Sequence, residues 1–443
     1  MNLEKSIRTP FIKFTNIQGL SGILLFSATV LAIIWANSPF GDIYQSIWDF
    51  RIGLDSENFK LTKPLMLWVN DALMAVFFFL IGLEIKRELV IGDLNSPKKA
   101  AFPLFAAVGG MITPILLFFA FNQETNSNSG WGIPMATDIA FSLAILNSLG
   151  KRVPIALKVF LTAFAIVDDI GAVFVIAVFY SEQIKLGLII LSVLPIIILT
   201  FLGQRRYYSV FLWLSLGAVV WLLFLKAGIH PTIAGVILAF TVPLRKKINV
   251  KTYTDKLHHI IHDIEKTEGN DKMILTERQI NYLDDLEELT SQVQSPLQHL
   301  EHKLHGWVAY FIMPVFALAN AGVVFDFDVG INWNIAIAIS AGLFLGKLIG
   351  IPLFTFIGVK LKLAELPKEM SIAHIFGIAF LAGVGFTMSI FISNLAFADN
   401  PLLTNSAKIG ILIGSFIAGI MGYLLLRNSA KLDSIRLFNK KIL

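Results

Sequence analysis

The stretch FLTAFAIVDDIGAVFVIAVFY, residues 160–180, carries two adjacent acidic residues, Asp168 and Asp169, within an otherwise uncharged and mostly apolar run. The run is about as long as a helix needs to cross a bilayer. One ionised side chain at the membrane centre costs about 2.5–3.5 kcal/mol on insertion scales. A neighbouring pair of carboxyl groups at that depth therefore indicates a function in handling ions or protons.

The composition of the whole chain is that of a polytopic membrane protein. Of 443 residues, 56% are hydrophobic and only 15% are charged, whereas soluble domains contain about 25% charged residues. The absence of cysteine excludes disulfides, thiolate metal sites and thiol catalysis. Basic residues give a net charge of +5, but they fall between apolar runs, which is a topology signal and not a nucleic-acid-binding one. We therefore expect an all-α polytopic membrane protein that has no nucleic-acid partner.

Apolar runs separated by polar or Gly/Pro segments predict about twelve transmembrane helices. Their starts lie near Ile17, Leu65, Ala101, Trp131, Pro154, Leu186, Val210, Gly228, Trp307, Trp333, Ile372 and Ser406. An even number of spans places both termini on the same side of the membrane.

The basic residues predict that this side is the cytoplasm. With that orientation, the outer loops contain only Arg51, Lys60, Lys63, Lys185, Lys226 and Lys408. The inner segments contain most of the other basic residues, among them Lys86, Arg87, Lys98, Lys99, Lys151, Arg152, Arg205, Arg206, Lys360, Lys362 and Lys368. Such an alternation along the whole chain follows the positive-inside rule.

Two loops differ from the short connections. The first outer loop, residues 49–65, alternates polar and apolar residues around DSEN, which predicts a short β-hairpin. The hydrophilic segment 246–299 contains two runs, LHHIIHDIEK and NYLDDLEELTSQV, that predict amphipathic helices. We therefore divide the chain into residues 1–245 with eight spans, a cytoplasmic loop at 246–299, and residues 300–443 with four spans and a cytoplasmic tail.

The fourth apolar run contains a further acidic residue, Asp138, in GWGIPMATDIAFSLAIL. Pro134 removes a backbone donor and restricts its predecessor, so we expect a broken or late-starting helix near Thr137 and Asp138. The freed N–H groups at a helix start carry partial positive charge and suit an ion site. The alternative is that Asp138 only caps an interfacial helix.

Lys347 is the one basic residue deep inside an apolar run, IAIAISAGLFLGKLIGIPLFTFIG. A buried lysine pairs with a carboxylate or loses its proton, and snorkelling to the membrane surface is the alternative. The eleventh run, IAHIFGIAFLAGVGFTMSIFISNLAF, has Gly383 and Gly385 at its middle, followed by Thr387 and Ser389. These glycines indicate either close helix packing or a second helix break that partners the first.

Helix geometry limits which carboxyl groups meet the lysine. Adjacent residues of a helix point about 100° apart, so Asp168 and Asp169 cannot both face Lys347. A structural network with Lys347 accounts for one aspartate and leaves the second unexplained. One aspartate paired and one free to titrate or to bind a hard cation is the economical arrangement, and the candidate oxygens are those of Asp169, Asp138 and Thr137.

Seven segments, in order along nearly the whole chain, resemble the NhaA family of sodium/proton antiporters. They are NDALMAVFFFLIGLEIKREL, IPMATDIAFS, LKVFLTAFAIVDDIGAV, GIHPTIAGVILAF, LEHKLHGWVAYFIMPVFALANAG, GLFLGKLIGIPLF and GVGFTMSIFI. The resemblance implies an inverted-repeat transporter with two discontinuous helices that cross near mid-membrane.

The resemblance also implies roles for single residues. Asp138, Asp168 and Asp169 would titrate, with Asp169, Asp138 and Thr137 closest to the cation and Asp168 paired with Lys347. A cytoplasmic cluster associated with pH control would comprise Glu84, Arg87, Glu88, Glu301, His302 and His305. An ordinary interfacial charge belt is the alternative for that cluster. His230 and Asp71 also match family positions, although a capped helix start and a buried hydrogen-bonding group explain them as well.

The function implied is exchange of cytoplasmic Na+ or Li+ for external H+, pH-regulated and electrogenic, by a homodimer in a bacterial inner membrane. Neither enzymatic activity, a cofactor nor a structural metal is expected. The alternatives are a cation channel or symporter that uses the same aspartates, and an intramembrane aspartyl protease. The protease is disfavoured because such enzymes place their aspartates on separate spans with a GxGD signature. The histidine-rich loop, with His258, His259 and His262, departs from the family, and a solvated insertion is favoured over pH or metal sensing.

Overall fold

A computed structural model describes residues 3–56, 59–181, 184–205, 207–245, 248–266, 274, 276–324, 330–367 and 370–442. Seven helices are long and apolar enough to cross a membrane, namely Leu65–Val90, Pro97–Phe121, Ile155–Phe179, Leu186–Gln204, Val210–Ala227, Trp333–Lys360 and Pro401–Ser429. Three bent helix pairs raise the number to as many as ten within these residues. The predicted class, an all-α polytopic membrane protein, is confirmed.

In three places, two helices are joined by a short break and a sharp bend. Leu20–Ala36 turns by 113° into the short helix Gly41–Asp49. The first broken span joins Thr125–Met135, a 3₁₀ helix, to Ile139–Ser148 with a bend of 45°. The second broken span joins Ile372–Ala382 to Phe386–Ala396 with a bend of 42°. The first break lies where Pro134 predicts it, and the second lies at Gly383 and Gly385, for which close helix packing was the alternative.

Two of the twelve predicted spans are helical, but their apolar stretches are shorter than those of the seven long helices. The span expected near Gly228 is the ten-residue helix Thr232–Thr241, which is about 15 Å long and so covers about half of a bilayer core. The span expected near Trp307 is the end of a helical run over residues 296–320, which opens with the polar sequence PLQHLEHKLH. The count of twelve therefore stays a prediction.

The two unusual loops have their predicted structures. In the predicted outer loop, Arg51–Ile52 pairs antiparallel with Lys63–Pro64 and Asp55–Ser56 with Phe59–Lys60. The predicted turn at DSEN falls partly on residues 57 and 58, which lie outside the described residues. In the hydrophilic segment, helices Val250–Glu265 and Glu277–Val293 pack against each other. Two basic residues used for orientation, Arg206 and Lys368, lie outside the described part of the chain.

Close helix packing places the charged residues beside one another. We call Ile155–Phe179 the aspartate helix and Trp333–Lys360 the lysine helix. Both pack on Pro97–Phe121. Gly350 and Gly109 make this approach possible, because a Cβ on either would overlap the carbonyl oxygen of the other. Small residues at a membrane helix contact allow such closeness, and the result is that Lys347 reaches Asp168.

The two broken spans cross, and each satisfies backbone groups that the other leaves free. Residues 136–138 connect the halves of the first broken span, and Gly383, Val384 and Gly385 connect those of the second. The N–H of Asp138 donates to the carbonyl of Val384 at 2.7 Å. The Thr137 hydroxyl donates to the carbonyl of Ala382 at 3.0 Å. Interrupted backbone is tolerated inside a membrane only where such partners exist.

Candidate functional site

Lys347 lies at the centre of the crossing and is fully buried. Its ammonium group donates to the Asp168 carboxylate, 3.2 and 3.3 Å from the two oxygens, to Thr137 Oγ1 at 3.0 Å and to the carbonyl of Met135. A single π-helical turn, Gly342–Gly346, ends directly before the lysine. Such turns are frequent at functional sites. Snorkelling is excluded, because the ammonium group has four partner atoms inside the protein.

Asp169 is in a different situation from its neighbour. It is buried, yet its Oδ2 atom has no hydrogen-bond partner among the residues that the structure describes. Asp168, by contrast, accepts from the Lys347 ammonium group through both carboxylate oxygens. The divergence of about 100° between adjacent helical residues produces this difference. A buried acceptor left without a donor is costly, so Asp169 is suited to bind a ligand that supplies positive charge.

Asp138 caps the starts of two half-helices. Its Oδ1 accepts from the N–H of Phe141 at 3.0 Å, within the first broken span. Its Oδ2 accepts from the N–H of Thr387 at 3.0 Å and from the Thr387 hydroxyl, within the second. The capping alternative is thus geometrically correct, but the residue is buried and not interfacial. Two positive helix ends converge on one carboxylate.

A cavity of about 50 Å³ connects these carboxylates to the next cluster. Its polar lining comes from Ser21, Glu84, Thr137, Asp138, Asp169, His305 and Thr387, and the remaining lining is apolar except for backbone groups. A water-sized ligand needs about 10–15 Å³, so the cavity has room for water or a small cation. Carboxylate and hydroxyl oxygens are the ligands that hard cations prefer.

The predicted cytoplasmic cluster comes together at the far end of this cavity. The Arg87 guanidinium lies 3.0 Å from Glu88 and 3.4 Å from Glu301. His305 Nδ1 lies 3.9 Å from the carboxylate of Glu84. The contacts join two helices that are far apart in sequence, so the cluster is more than a belt of pairs along one helix.

Burial shifts the pKa of two of the three cluster residues on the helical run 296–320, Glu301 and His305. It raises the pKa of Glu301, while the Arg87 guanidinium acts in the opposite direction. It lowers the pKa of His305 to about 4, aided by the positive charges of His302 and Arg87. His302 itself is exposed. At neutral pH His305 is therefore uncharged.

The other loop histidines are not assembled into a site. His258, His259 and His262 are exposed on the helix Val250–Glu265. Among the residues with described positions, no group of three or more His, Asp or Glu side chains is arranged to hold a metal ion. The observations fit a solvated helical insertion.

At the opposite end of the Leu65–Val90 helix from Glu84, a second buried charge cluster surrounds Asp71. Lys63, from the hairpin, donates to Asp71 at 2.6 Å. His230 Nε2 lies 3.8 Å from the same carboxylate, and its Nδ1 is 2.7 Å from the Thr232 hydroxyl. Asp71 and His230 thus share one site, and Lys63 is a partner that sequence reasoning missed.

Next to Asp71 lies a polar cluster that the sequence analysis also missed. Asn320 is fully buried and exchanges two side-chain hydrogen bonds with Asn70, at 2.8 and 3.2 Å. Asn394, at the end of the second broken span, donates to Asn320 at 2.7 Å. We call these residues the asparagine cluster. A polar residue in an apolar run, such as Asn320 in MPVFALANAG, was an available signal.

The chain is similar to known transport proteins over almost its full length. A family model described as Na+/H+ antiporter 1 matches residues 12–426. A protein named Na(+)/H(+) antiporter NhaA from Oleidesulfovibrio alaskensis is 45% identical over 424 residues, which is 94% of this chain and 93% of that protein. The protein of the same name from Bacteroides thetaiotaomicron is 44% identical over 422 residues, 94% of this chain and 96% of its own length.

Proposed function

This chain belongs to the Na+/H+ antiporter 1 family, and we propose on that premise that it exchanges cytoplasmic Na+ or Li+ for external H+ by alternating access. The family consists of transporters and not enzymes, and they need no cofactor. The chain is therefore a multi-pass membrane transporter. We place it in a bacterial inner membrane with twelve spans, an inverted repeat and cytoplasmic termini.

One observation carries the proposal: the buried, unpartnered Oδ2 atom of Asp169 beside a cavity that Asp138 also lines. Deprotonated, these carboxylates attract a cation, and protonated they release it. Asp168 and Lys347 neutralise each other beside them. Sodium and protons thus compete for one set of oxygens. The sodium and proton gradients across the membrane decide in which direction each ion moves.

The charge balance makes exchange electrogenic. If Asp169 and Asp138 each take one proton from outside as one sodium leaves, two positive charges enter and one leaves. The same balance holds if one carboxylate and Lys347 are the two proton carriers. An outside-high proton gradient and a negative interior then both drive sodium out. Because the carboxylates lie together, their titration belongs to the group and not to single residues.

The arrangement of cavity and polar clusters supports an inward-facing state. The cavity extends from Asp169 towards Glu84 and His305. At the other end of the same helices, the asparagine cluster joins three elements. Polar contacts of this kind can separate and hydrate when the outer side opens. Rocking about the crossed broken spans would expose the aspartates alternately to the two sides.

Reconstituted protein tests exchange against a channel or a symporter. We expect a sodium gradient across proteoliposomes to drive protons in the opposite direction and to generate a membrane potential, because both ions use one site. The measurement combines a proton-sensitive dye with a potential-sensitive dye. Sodium flux without proton countermovement would identify a channel, and proton movement in the same direction as sodium would identify a symporter.

We also propose that the cytoplasmic cluster regulates activity with pH; its residues are Glu84, Arg87, Glu88, Glu301, His302 and His305. Replacing Arg87 with glutamine removes a charge that lowers the pKa of both Glu301 and His305. Both groups should then titrate at higher pH. We expect Arg87→Gln to shift the pH–activity profile to the alkaline side by about one unit, a typical effect of one nearby charge.

Exchange measured in everted vesicles at saturating sodium, across the pH range in which the wild-type protein is active, provides the profile. Arg205→Gln is the matched control, because Arg205 lies on another helix and stacks on Phe201 at 5.1 Å. An unshifted profile in Arg87→Gln, with normal maximal activity, would assign the cluster a purely structural role.

Dimer formation and the division of the chain complete the proposal. The hairpin carries the exposed apolar residues Ile52 and Leu54, and we propose that it joins two copies into a homodimer. Residues 1–245 and 300–443 would form the transport unit, with the loop at 246–299 as a cytoplasmic insertion. Cross-linking of cysteines introduced at position 54 in native membranes, with position 211 on a lipid-facing helix as control, distinguishes a dimer from a monomer.

A further inference from the structure

Thr387 is a buried residue at the start of the second half of the second broken span, and it lines the same cavity as Asp138 and Asp169. Its backbone N–H donates to Asp138 Oδ2 at 3.0 Å, and its hydroxyl donates to the same atom. The proposed cation site, on which this inference rests, does not so far include Thr387.

The hydroxyl of Thr387 is not needed to cap its helix. The first free N–H groups of that half-helix, those of Gly385 and Phe386, donate to Ser415 Oγ at 3.2 and 3.3 Å. The third, that of Thr387, is satisfied by the Asp138 carboxylate. The helix start therefore has its partners without the threonine hydroxyl, which points to a function other than capping.

The hydroxyl of Thr387 can act as an acceptor as well as a donor. A hydroxyl has one proton to donate and two acceptor lone pairs. While Asp138 is ionised, the proton of Thr387 Oγ1 points at that carboxylate, and the lone pairs are left for the cavity.

We propose that Thr387 Oγ1 is a ligand of the transported cation. The ionised carboxylate of Asp138 accepts a hydrogen bond from the hydroxyl, which leaves the lone pairs of Oγ1 for the cavity. The cation would thus be held by the carboxylates of Asp169 and Asp138 together with the oxygen of Thr387.

Sodium-driven proton exchange by reconstituted Thr387→Val protein, together with sodium binding to the purified protein, tests this assignment. Valine keeps the shape of the side chain but has no oxygen. At alkaline pH we expect the apparent KM for sodium to rise roughly 10-fold, a typical consequence of losing one polar contact to a charge, while kcat changes little. The stabilisation of the protein by added sodium, measured as a shift in Tm, should fall in parallel, because a ligand stabilises in proportion to its occupancy.

Two comparisons separate a ligand from a structural residue. Thr387→Ser retains the oxygen and should restore the KM to within about three-fold of wild type. Ser393→Ala is the matched control, since Ser393 is equally buried on the same half-helix, donates only to the carbonyl of Ile390 at 2.8 Å and does not line the cavity. We expect its sodium KM to be that of wild type.

The outcomes distinguish this inference from the proposed function. If wild-type protein exchanges sodium for protons and Thr387→Val keeps a wild-type KM, Thr387 is not a ligand although the transport function stands. If Thr387→Ser is as impaired as Thr387→Val, the shape of the residue matters and not its oxygen, and the inference fails. If wild-type protein shows no exchange, the proposed function itself fails. Thr387→Ala replaces the valine variant should that variant not fold.

Discussion

Asp169→Asn protein is expected to lose sodium-driven proton exchange by about 100-fold or more, because removing one partner of a buried charge interaction typically costs about 3–5 kcal/mol. The asparagine amide has nearly the shape of the carboxylate but takes no proton and carries no charge to balance a cation. Asp169 Oδ2 has no hydrogen-bond partner, so the substitution breaks no bond of that atom. The variant should therefore fold and reach the membrane.

The measurement is the response of a proton-sensitive dye in everted vesicles to a pulse of sodium or lithium chloride. Asp399→Asn is the control, because Asp399 is exposed and its substitution removes the same charge without touching the cavity. Asp138→Asn should also be inactive, but with lower expression, since Asp138 accepts three hydrogen bonds at two helix starts. Wild-type exchange by Asp169→Asn would remove Asp169 from the cation site.

Much of the candidate site could be predicted because charge inside a membrane is expensive. That cost alone singled out Asp138, Asp168, Asp169 and Lys347 in apolar runs. Helix geometry then predicted that Lys347 meets only one of the adjacent aspartates, and in the structure that one is Asp168. Pro134 predicted the first helix break, whereas Gly383 and Gly385 left a second break and close helix packing as alternatives.

The contacts between distant segments could not be predicted from the residues themselves. Thr387 meets Asp138 across 249 positions of the chain, and Asn320 meets Asn70 across 250. Thr387, Asn320 and Asn70 are neutral, so their presence in an apolar run costs less and stands out less than a charge. Only the packing of the helices determines which neutral polar groups become partners.

The number of spans is uncertain from sequence for a physical reason as well. A window of apolar residues reports that a segment is buried in lipid or protein, but not that it is long enough to cross. The helix Thr232–Thr241 is fully apolar apart from its threonines and packs against Leu65–Val90 through Gly235 and Gly82. Protein contacts take the place of lipid there, so a ten-residue helix can satisfy the same pattern as a full span.

The pair of Asp168 and Lys347 leads to a prediction about stability. We expect Asp168→Asn and Lys347→Met each to destabilise the purified protein by about 3–5 kcal/mol, because each leaves one buried charge without its partner. The double variant should be more stable than either single one, since it buries no charge at this position. Thermal unfolding in detergent at neutral pH, followed by intrinsic tryptophan fluorescence, gives the three differences relative to wild type.

Non-additivity is the decisive result, and a double variant as unstable as the sum of the single ones would show that the two side chains are not coupled. Thr355→Val, a buried substitution elsewhere on the lysine helix, controls for general damage to that helix. The folded double variant then decides which groups carry protons. If it still exchanges sodium and generates a membrane potential, Asp169 and Asp138 are the two carriers. If exchange persists without a potential, one of the two protons travels on Lys347.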